Sequence, residues 1–183
     1  HMGWTDDLSG FVIGSRVVSA KGVNKAVSSP AVRMISNMLE PKGTIDGWKK
    51  SAKALNTKGL ELIQFGLMCG FGSPLMEFTN TPGVSVCFTG NAGNGKSGSL
   101  YAGLSVWGDP QTLAPQENGA TDNGLVGRYL NLKNILMGVD EVHNMKPADL
   151  SKFVFQISGG KPKIRMQSSV NAERQTEARA KLI

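Results

Sequence analysis

Val84-Ser85-Val86-Cys87-Phe88-Thr89-Gly90-Asn91-Ala92-Gly93-Asn94-Gly95-Lys96-Ser97 is the stretch on which the reading of this chain turns. Its last eight residues match G-x-x-x-x-G-K-[ST] in full. The run 84–89 that precedes them is short, apolar and β-rich, suited to a buried parallel strand. A helix carrying residues 100–106 is expected to follow. Glycines let backbone N–H groups turn inward and approach phosphate oxygens closely. The helix start offers the positive end of its dipole to the same anion. Lys96 is expected to reach the β- and γ-phosphates of ATP, and Ser97 to hold Mg²⁺ through its hydroxyl. Asn91 and Asn94, on either side of Ala92-Gly93, are residues that tolerate left-handed backbone. The bland alternative, a Gly/Asn-rich surface turn, does not account for the strand–loop–helix context.

A second apolar run, Ile135-Leu136-Met137-Gly138-Val139, ends in Asp140-Glu141. An acidic turn after a strand would look the same. Together with the phosphate loop, however, Asp140 is placed to serve Mg²⁺, ordinarily through a water. Glu141 is placed to orient and deprotonate an attacking water. A GTPase would want a glycine shortly after the aspartate and an Asn-Lys-x-Asp reader. Asp140 is followed by Glu141-Val142-His143, and no such reader exists. The Asp-Glu pair also speaks for a hydrolysing ATPase over a small-molecule kinase.

Working outward, the chain has 183 residues, a 40% apolar content and 23 glycines. That composition excludes disorder, collagen and coiled coil for the chain as a whole. Cys69 and Cys87 supply neither a disulfide framework nor metal-ligand spacing, and read as reduced core thiols of a cytoplasmic protein. No signal peptide is expected, and His1-Met2 is set aside as an expression remnant. The longest uncharged apolar run, between Glu61 and Glu77, is too short and polar to span a bilayer, so no membrane association is expected. The net charge is +6, and the last stretch, 161–183, is its most basic part. A basic end is compatible with nucleic acid but is weak support alone.

Upstream, residues 11–13, the pair Gly14-Ser15 and residues 16–18 predict a β-hairpin. Ser29-Pro30 starts a helix whose Ala31, Met34, Ile35, Met38 and Leu39 share one face, and Pro41 ends it. Further helices are expected over 45–55 and from Leu60 to the break at 70–74. The turn-rich run 79–83 (TNTPG) separates a mainly helical N-terminal region with its hairpin (3–80) from an ATPase core (81–183). In that core Thr121-Asp122 caps a helix to Leu130. Pro147 opens a helix through Ile157 that Gly159-Gly160 stops, and 162–183 suggests two strands. The expected fold is α/β: a P-loop NTPase core of the helicase/AAA-like, additional-strand type with a parallel sheet.

Trp107-Gly108-Asp109-Pro110, Ala120-Thr121-Asp122-Asn123-Gly124-Leu125 and Gly138-Val139-Asp140-Glu141 together resemble a P-loop ATPase family of phages and mobile elements. That family, formerly a domain of unknown function, is associated with primase-helicase activities. Gly10-Phe11-Val12-Ile13-Gly14, Gly47-Trp48 and Ser73-Pro74-Leu75 extend the resemblance over most of the chain. The C-terminal part is also similar to superfamily-three replicative helicases, through Leu150-Ser151-Lys152, Gly159-Gly160 and Lys161-Pro162-Lys163-Ile164-Arg165. The resemblance implies a homo-oligomer, a hexameric ring, in which this last hairpin grips single-stranded DNA in the pore. Lys161, Lys163 and Arg165 would then meet DNA phosphates, and alternate strand positions do share a face. The family continues with a sensor strand and an arginine. Residues 178–183 look like the start of that strand, so the chain reads as truncated there. The expected function is that of an ATP-dependent DNA translocase, a phage or mobile-element replicative helicase. A viral DNA-packaging motor and a non-enzymatic, nucleotide-gated scaffold or helicase loader are the alternatives.

Overall fold

In the computed structural model, residues 2–26, 33, 35–81, 83–114, 131–140 and 146–158 are described. The first element is an antiparallel meander of four strands in sequence order, β1 (Gly3–Trp4), β2 (Gly10–Ile13), β3 (Arg16–Ser19) and β4 (Gly22–Lys25). The hairpin expected at Gly14-Ser15 is its centre, with Val12 opposite Val17 and Ile13 opposite Arg16. A 3-10 turn, Asn37–Leu39, closes the segment whose start lies outside the described residues. Helix α1 (Ile45–Ala54) follows, its first turn capped by Thr44, whose Oγ1 accepts from the Gly47 N–H at 3.1 Å. Helix α2 (Glu61–Gly72) runs on into a 3-10 segment, Ser73–Phe78. Helix α3 (Lys96–Leu104) leaves the glycine loop. The short α4 (Pro110–Leu113) is capped by Asp109, and α5 is Pro147–Ser158.

This architecture overturns the expected α/β P-loop NTPase core. Among the described residues there is no parallel sheet, and the one sheet lies at the N-terminus and is antiparallel. Residues 84–89 and 135–139, both expected as parallel strands, belong to no sheet. Among the described residues, Met2 and Leu132 form an isolated parallel bridge. The physical reason lies in what an apolar run reports. It signals burial, whereas a ladder also needs a neighbouring strand in register. Ile135, Leu136, Met137 and Val139 are indeed buried. They pack on α3, where Gly138 lies against Leu100 and Leu104. Residues 84–89 are only partly covered; Val84 is 43% exposed, and Cys87, expected in the core, is exposed as well.

Two further contacts fix the scaffold around α3. Gly66 and Gly70 of α2 face Ser99 and Gly103 of α3 so closely that a Cβ on Gly66 would overlap the Ser99 carbonyl. Small residues four apart on both helices allow this approach. The sheet is tied to the far end of α3 by Phe11, stacked on Trp107 at 5.6 Å between ring centroids. Trp107 Nε1 in turn donates to the Gly70 carbonyl at 3.0 Å. Met2, set aside above as a remnant, is fully buried in the core, and its N–H donates to the Asn131 carbonyl at 2.9 Å. Among the described residues no helix is long and apolar enough to cross a membrane. The helix expected over 121–130, the pair Gly159-Gly160 and the strands expected in 162–183 lie outside the described residues.

Candidate functional site

The glycine loop turns into α3 through backbone that only glycine adopts easily. Gly90, Gly93 and Gly95 have φ of 138°, 84° and 78°, and Gly95 in the left-handed region forms the helix cap. A cap without a side chain leaves the first-turn N–H groups unclaimed by any side-chain oxygen, and the first turn contains no acidic residue. Those N–H groups and the helix dipole therefore make an anion-binding end. Residues 90–94 are exposed, so the loop opens to solvent. From behind, the Ile63 side chain of α2 lies where a Cβ on Gly95 or Gly98 would meet it at ordinary van der Waals distance. Ser99 Oγ donates back to the Gly95 carbonyl at 2.9 Å.

Lys96 lies across the loop. Its Nζ donates to the Gly90 carbonyl at 2.8 Å and to the Asn91 carbonyl at 2.7 Å. An ammonium has three protons, so one remains for an incoming phosphate oxygen. Ser97, one residue on, is exposed, and its Oγ lies 3.3 Å from Asp140 Oδ1. Tyr101, one turn further along α3, donates its OH to Asp140 Oδ2 at 3.3 Å. The structure thus gathers Lys96, Ser97 and Asp140 at one end of α3, beside the backbone of Gly90, Asn91, Ala92, Gly93, Asn94 and Gly95. Two oxygens held on neighbouring vertices of an octahedral Mg²⁺ stand roughly 3 Å apart. The Ser97–Asp140 separation is close to that, so the donor set fits a hard, oxygen-seeking cation. Tyr101 was not singled out from the sequence. Its spacing of four from Ser97, which puts both on one helix face, is the signal that could have found it. Glu141, Lys161, Lys163 and Arg165 lie outside the described residues.

A family model described as Domain of unknown function (DUF927) matches residues 1–178. No curated protein matches the chain.

Proposed function

The chain belongs to the DUF927 family, and from that premise we propose that it binds Mg-ATP on residues 90–97 and hydrolyses it to drive movement along DNA. The observation that carries this reading is the approach of Ser97 Oγ to Asp140 Oδ1 at 3.3 Å, beside a glycine loop spanned by Lys96. Backbone N–H groups at the start of α3 receive the phosphate charge, and the Lys96 ammonium adds a point charge to it. Ser97 and Asp140 would hold Mg²⁺, which when bound would neutralise charge on the phosphate oxygens. Tyr101 steadies the Asp140 carboxylate from its other oxygen. Glu141 follows Asp140 directly and serves as the base that orients and deprotonates the attacking water.

The DNA half of the proposal has different support. It rests on the resemblance to primase-helicase ATPases of phages and mobile elements and on the basic stretch 161–183. There Lys161, Lys163 and Arg165 are the proposed phosphate contacts, and a ring of identical subunits is the proposed assembly.

The test is ATP binding and turnover with Mg²⁺, with and without single-stranded DNA, beside Lys96→Ala and Glu141→Gln. The expected result is turnover stimulated by single strands and lost in both variants, with Glu141→Gln still binding ATP. Stimulation by duplex alone would favour a packaging motor. Binding without turnover under every condition would leave a nucleotide-gated scaffold, and no binding at all would end the nucleotide reading.

A further inference from the structure

The positive charge of this chain is unevenly placed. Residues 16–58 hold nine basic residues and two acidic ones, Glu40 and Asp46, a surplus of seven against the +6 of the whole chain. Everything outside that stretch is therefore close to neutral in sum. Two of the nine are matched: Arg16 Nη2 pairs with Glu40 Oε2 at 3.1 Å, and Lys42 Nζ with Asp109 Oδ2 at 2.6 Å. Lys21, Lys25, Lys49, Lys50, Lys53 and Lys58 are exposed and form no ion pair among the described residues. Like charges gathered along one part of the fold repel one another, and a polyanion that bridges them removes the repulsion.

The elements that carry these lysines flank a cleft of about 580 Å³, at the end of α3 away from the phosphate loop. Val18 and Val23 of the sheet, Trp48 of α1 and Phe71 of α2 line it. Val23 and Lys25 are alternate residues of β4 and share one face of the sheet. Lys49 stands four positions after Ile45, which lines the cleft from α1, so the two are neighbours on the helix. A cation thus borders the apolar wall on the sheet side and another on the helix side. The wall itself presents ring surface. Phe71 is 48% exposed and packs edge-on to Trp48, at 5.9 Å between ring centroids. Trp48 Nε1 donates to Ser105 Oγ at 3.1 Å, and Trp107 Nε1 to the Gly70 carbonyl. With both indole N–H groups engaged, these aromatic side chains offer faces and no hydrogen bonds. A base can stack on such faces whatever its identity.

We propose that this surface binds single-stranded nucleic acid. A base stacks on Phe71 and Trp48 inside the cleft, and the phosphates on either side of it meet Lys25 and Lys49. The lysines reach from the turn before β4 to just beyond α1, further than the cleft itself, which suits a charged strand running past it better than a small ligand. Duplex fits less well, because its bases are stacked on one another and reach no aromatic floor. None of these residues belongs to the phosphate loop or to the set Lys161, Lys163 and Arg165, so the proposal rests on neither the nucleotide reading nor the DNA contacts proposed above.

The test follows, by fluorescence anisotropy and without ATP, the binding of labelled oligothymidylate, oligouridylate and a duplex of the same length. The proteins are the full chain and its Lys161→Ala/Lys163→Ala/Arg165→Ala variant. The expected result is that the triple variant binds at least one of the single strands, the preferred one identifying DNA or RNA, and binds duplex about fivefold or more weakly. Lys25→Gln and Lys49→Gln should each lower the slope of log affinity against log salt by about 0.7. Phe71→Leu, which keeps apolar volume and removes the ring, should weaken the single strand about fivefold or more and leave that slope unchanged. Binding by the wild type that vanishes in the triple variant would overturn this proposal and leave Lys161, Lys163 and Arg165 as the contacts. Binding kept in the triple variant and lost in Lys25→Gln/Lys49→Gln supports it and counts against those contacts. Duplex or an oligoglutamate of equal charge bound as tightly as the single strand, a slope unmoved by either lysine variant, or no binding at all would each overturn the proposal.

Discussion

Ser97 and Asp140 are 43 positions apart in the chain and 3.3 Å apart across the site. On the proposed reading, this hydroxyl and this carboxylate would share one Mg²⁺. Ser97→Ala and Asp140→Asn should therefore each weaken Mg-ATP binding about tenfold or more. The double variant should lose less than the product of the two, because residues sharing a ligand couple by roughly 0.5–3 kcal/mol. Calorimetric titration of the four proteins with ATP checks this. The same titrations in EDTA should bring the four affinities together, since only the cation distinguishes them.

The crossing of α2 and α3 is the part of the scaffold with least room. A Cβ on Gly66 would run into the Ser99 carbonyl, and one on Gly103 would stand 2.8 Å from Leu136 Cδ2. Gly66→Ala must push the helices apart, at a cost of about 1–3 kcal/mol. For a chain of this length each kcal/mol lowers Tm by roughly 2–4 °C. Gly72, at the end of the same helix, is the control. Its φ of −73° is helical and nothing lies near its missing Cβ. Gly72→Ala should be neutral or stabilise by about 0.4–1 kcal/mol. Thermal melts of the two variants decide the matter. Because α2 backs the loop through Ile63, Gly66→Ala should also weaken ATP binding, and Gly72→Ala should not.

What was legible in the sequence follows the range of the forces involved. The hairpin at Gly14-Ser15, the helix beginning at Ile45 and the start of α5 at Pro147 depend on a few adjacent residues, and all are visible in the string. The distant pairings are not. β4 (Gly22–Lys25) is exposed along its whole length and has no apolar alternation to betray it. β1 has two residues and owes its existence to β2 and to Trp4, whose Nε1 donates to the Pro74 carbonyl at 2.8 Å. The run 135–139 is buried without strand pairing, because apolarity marks burial alone, whereas 84–89 is apolar yet neither paired nor fully covered. The small residues at Gly66, Gly70, Ser99 and Gly103 are plain in the sequence, but that they face one another is not. In the candidate site, the loop consensus singles out Lys96 and Ser97, whereas the Tyr101 contact to Asp140 is seen only in the coordinates.

The turn between β1 and β2 carries a pH-dependent element. Asp7 Oδ1 accepts from Thr5 Oγ1 at 2.7 Å and from the Ser9 N–H at 3.1 Å. These bonds, led by the Thr5 hydroxyl, favour the charged form and lower the Asp7 carboxyl from 3.8 to about 2. A lowered carboxylate stabilises the fold above its unfolded value and loses that contribution as pH falls through the folded one. The Tm of Asp7→Ala should therefore lie below wild type at neutral pH. The gap should narrow between about pH 4 and pH 2. Melts across that window check the sign: a gap that widened on acidification would refute the assignment.

Lys96 has a structural duty beside its proposed chemical one. With two of its protons on the Gly90 and Asn91 carbonyls, it draws the start of the loop toward the start of α3. Removing it should cost nucleotide affinity through the lost charge, by about tenfold or more for a charge-assisted bond. It should also release the loop when no nucleotide is present. Hydrogen exchange separates the two effects. In Lys96→Ala, amides of 91–95 should exchange faster than in wild type without ATP, while those of α1 and the sheet keep their rates. Lys96→Arg retains a cation but carries a planar fork where the loop holds a compact ammonium. It should recover part of the loop's protection and less of the ATP affinity. Equal exchange in Lys96→Ala and wild type would mean that the carbonyl contacts do not hold the loop, and that the role of Lys96 lies with the phosphates alone.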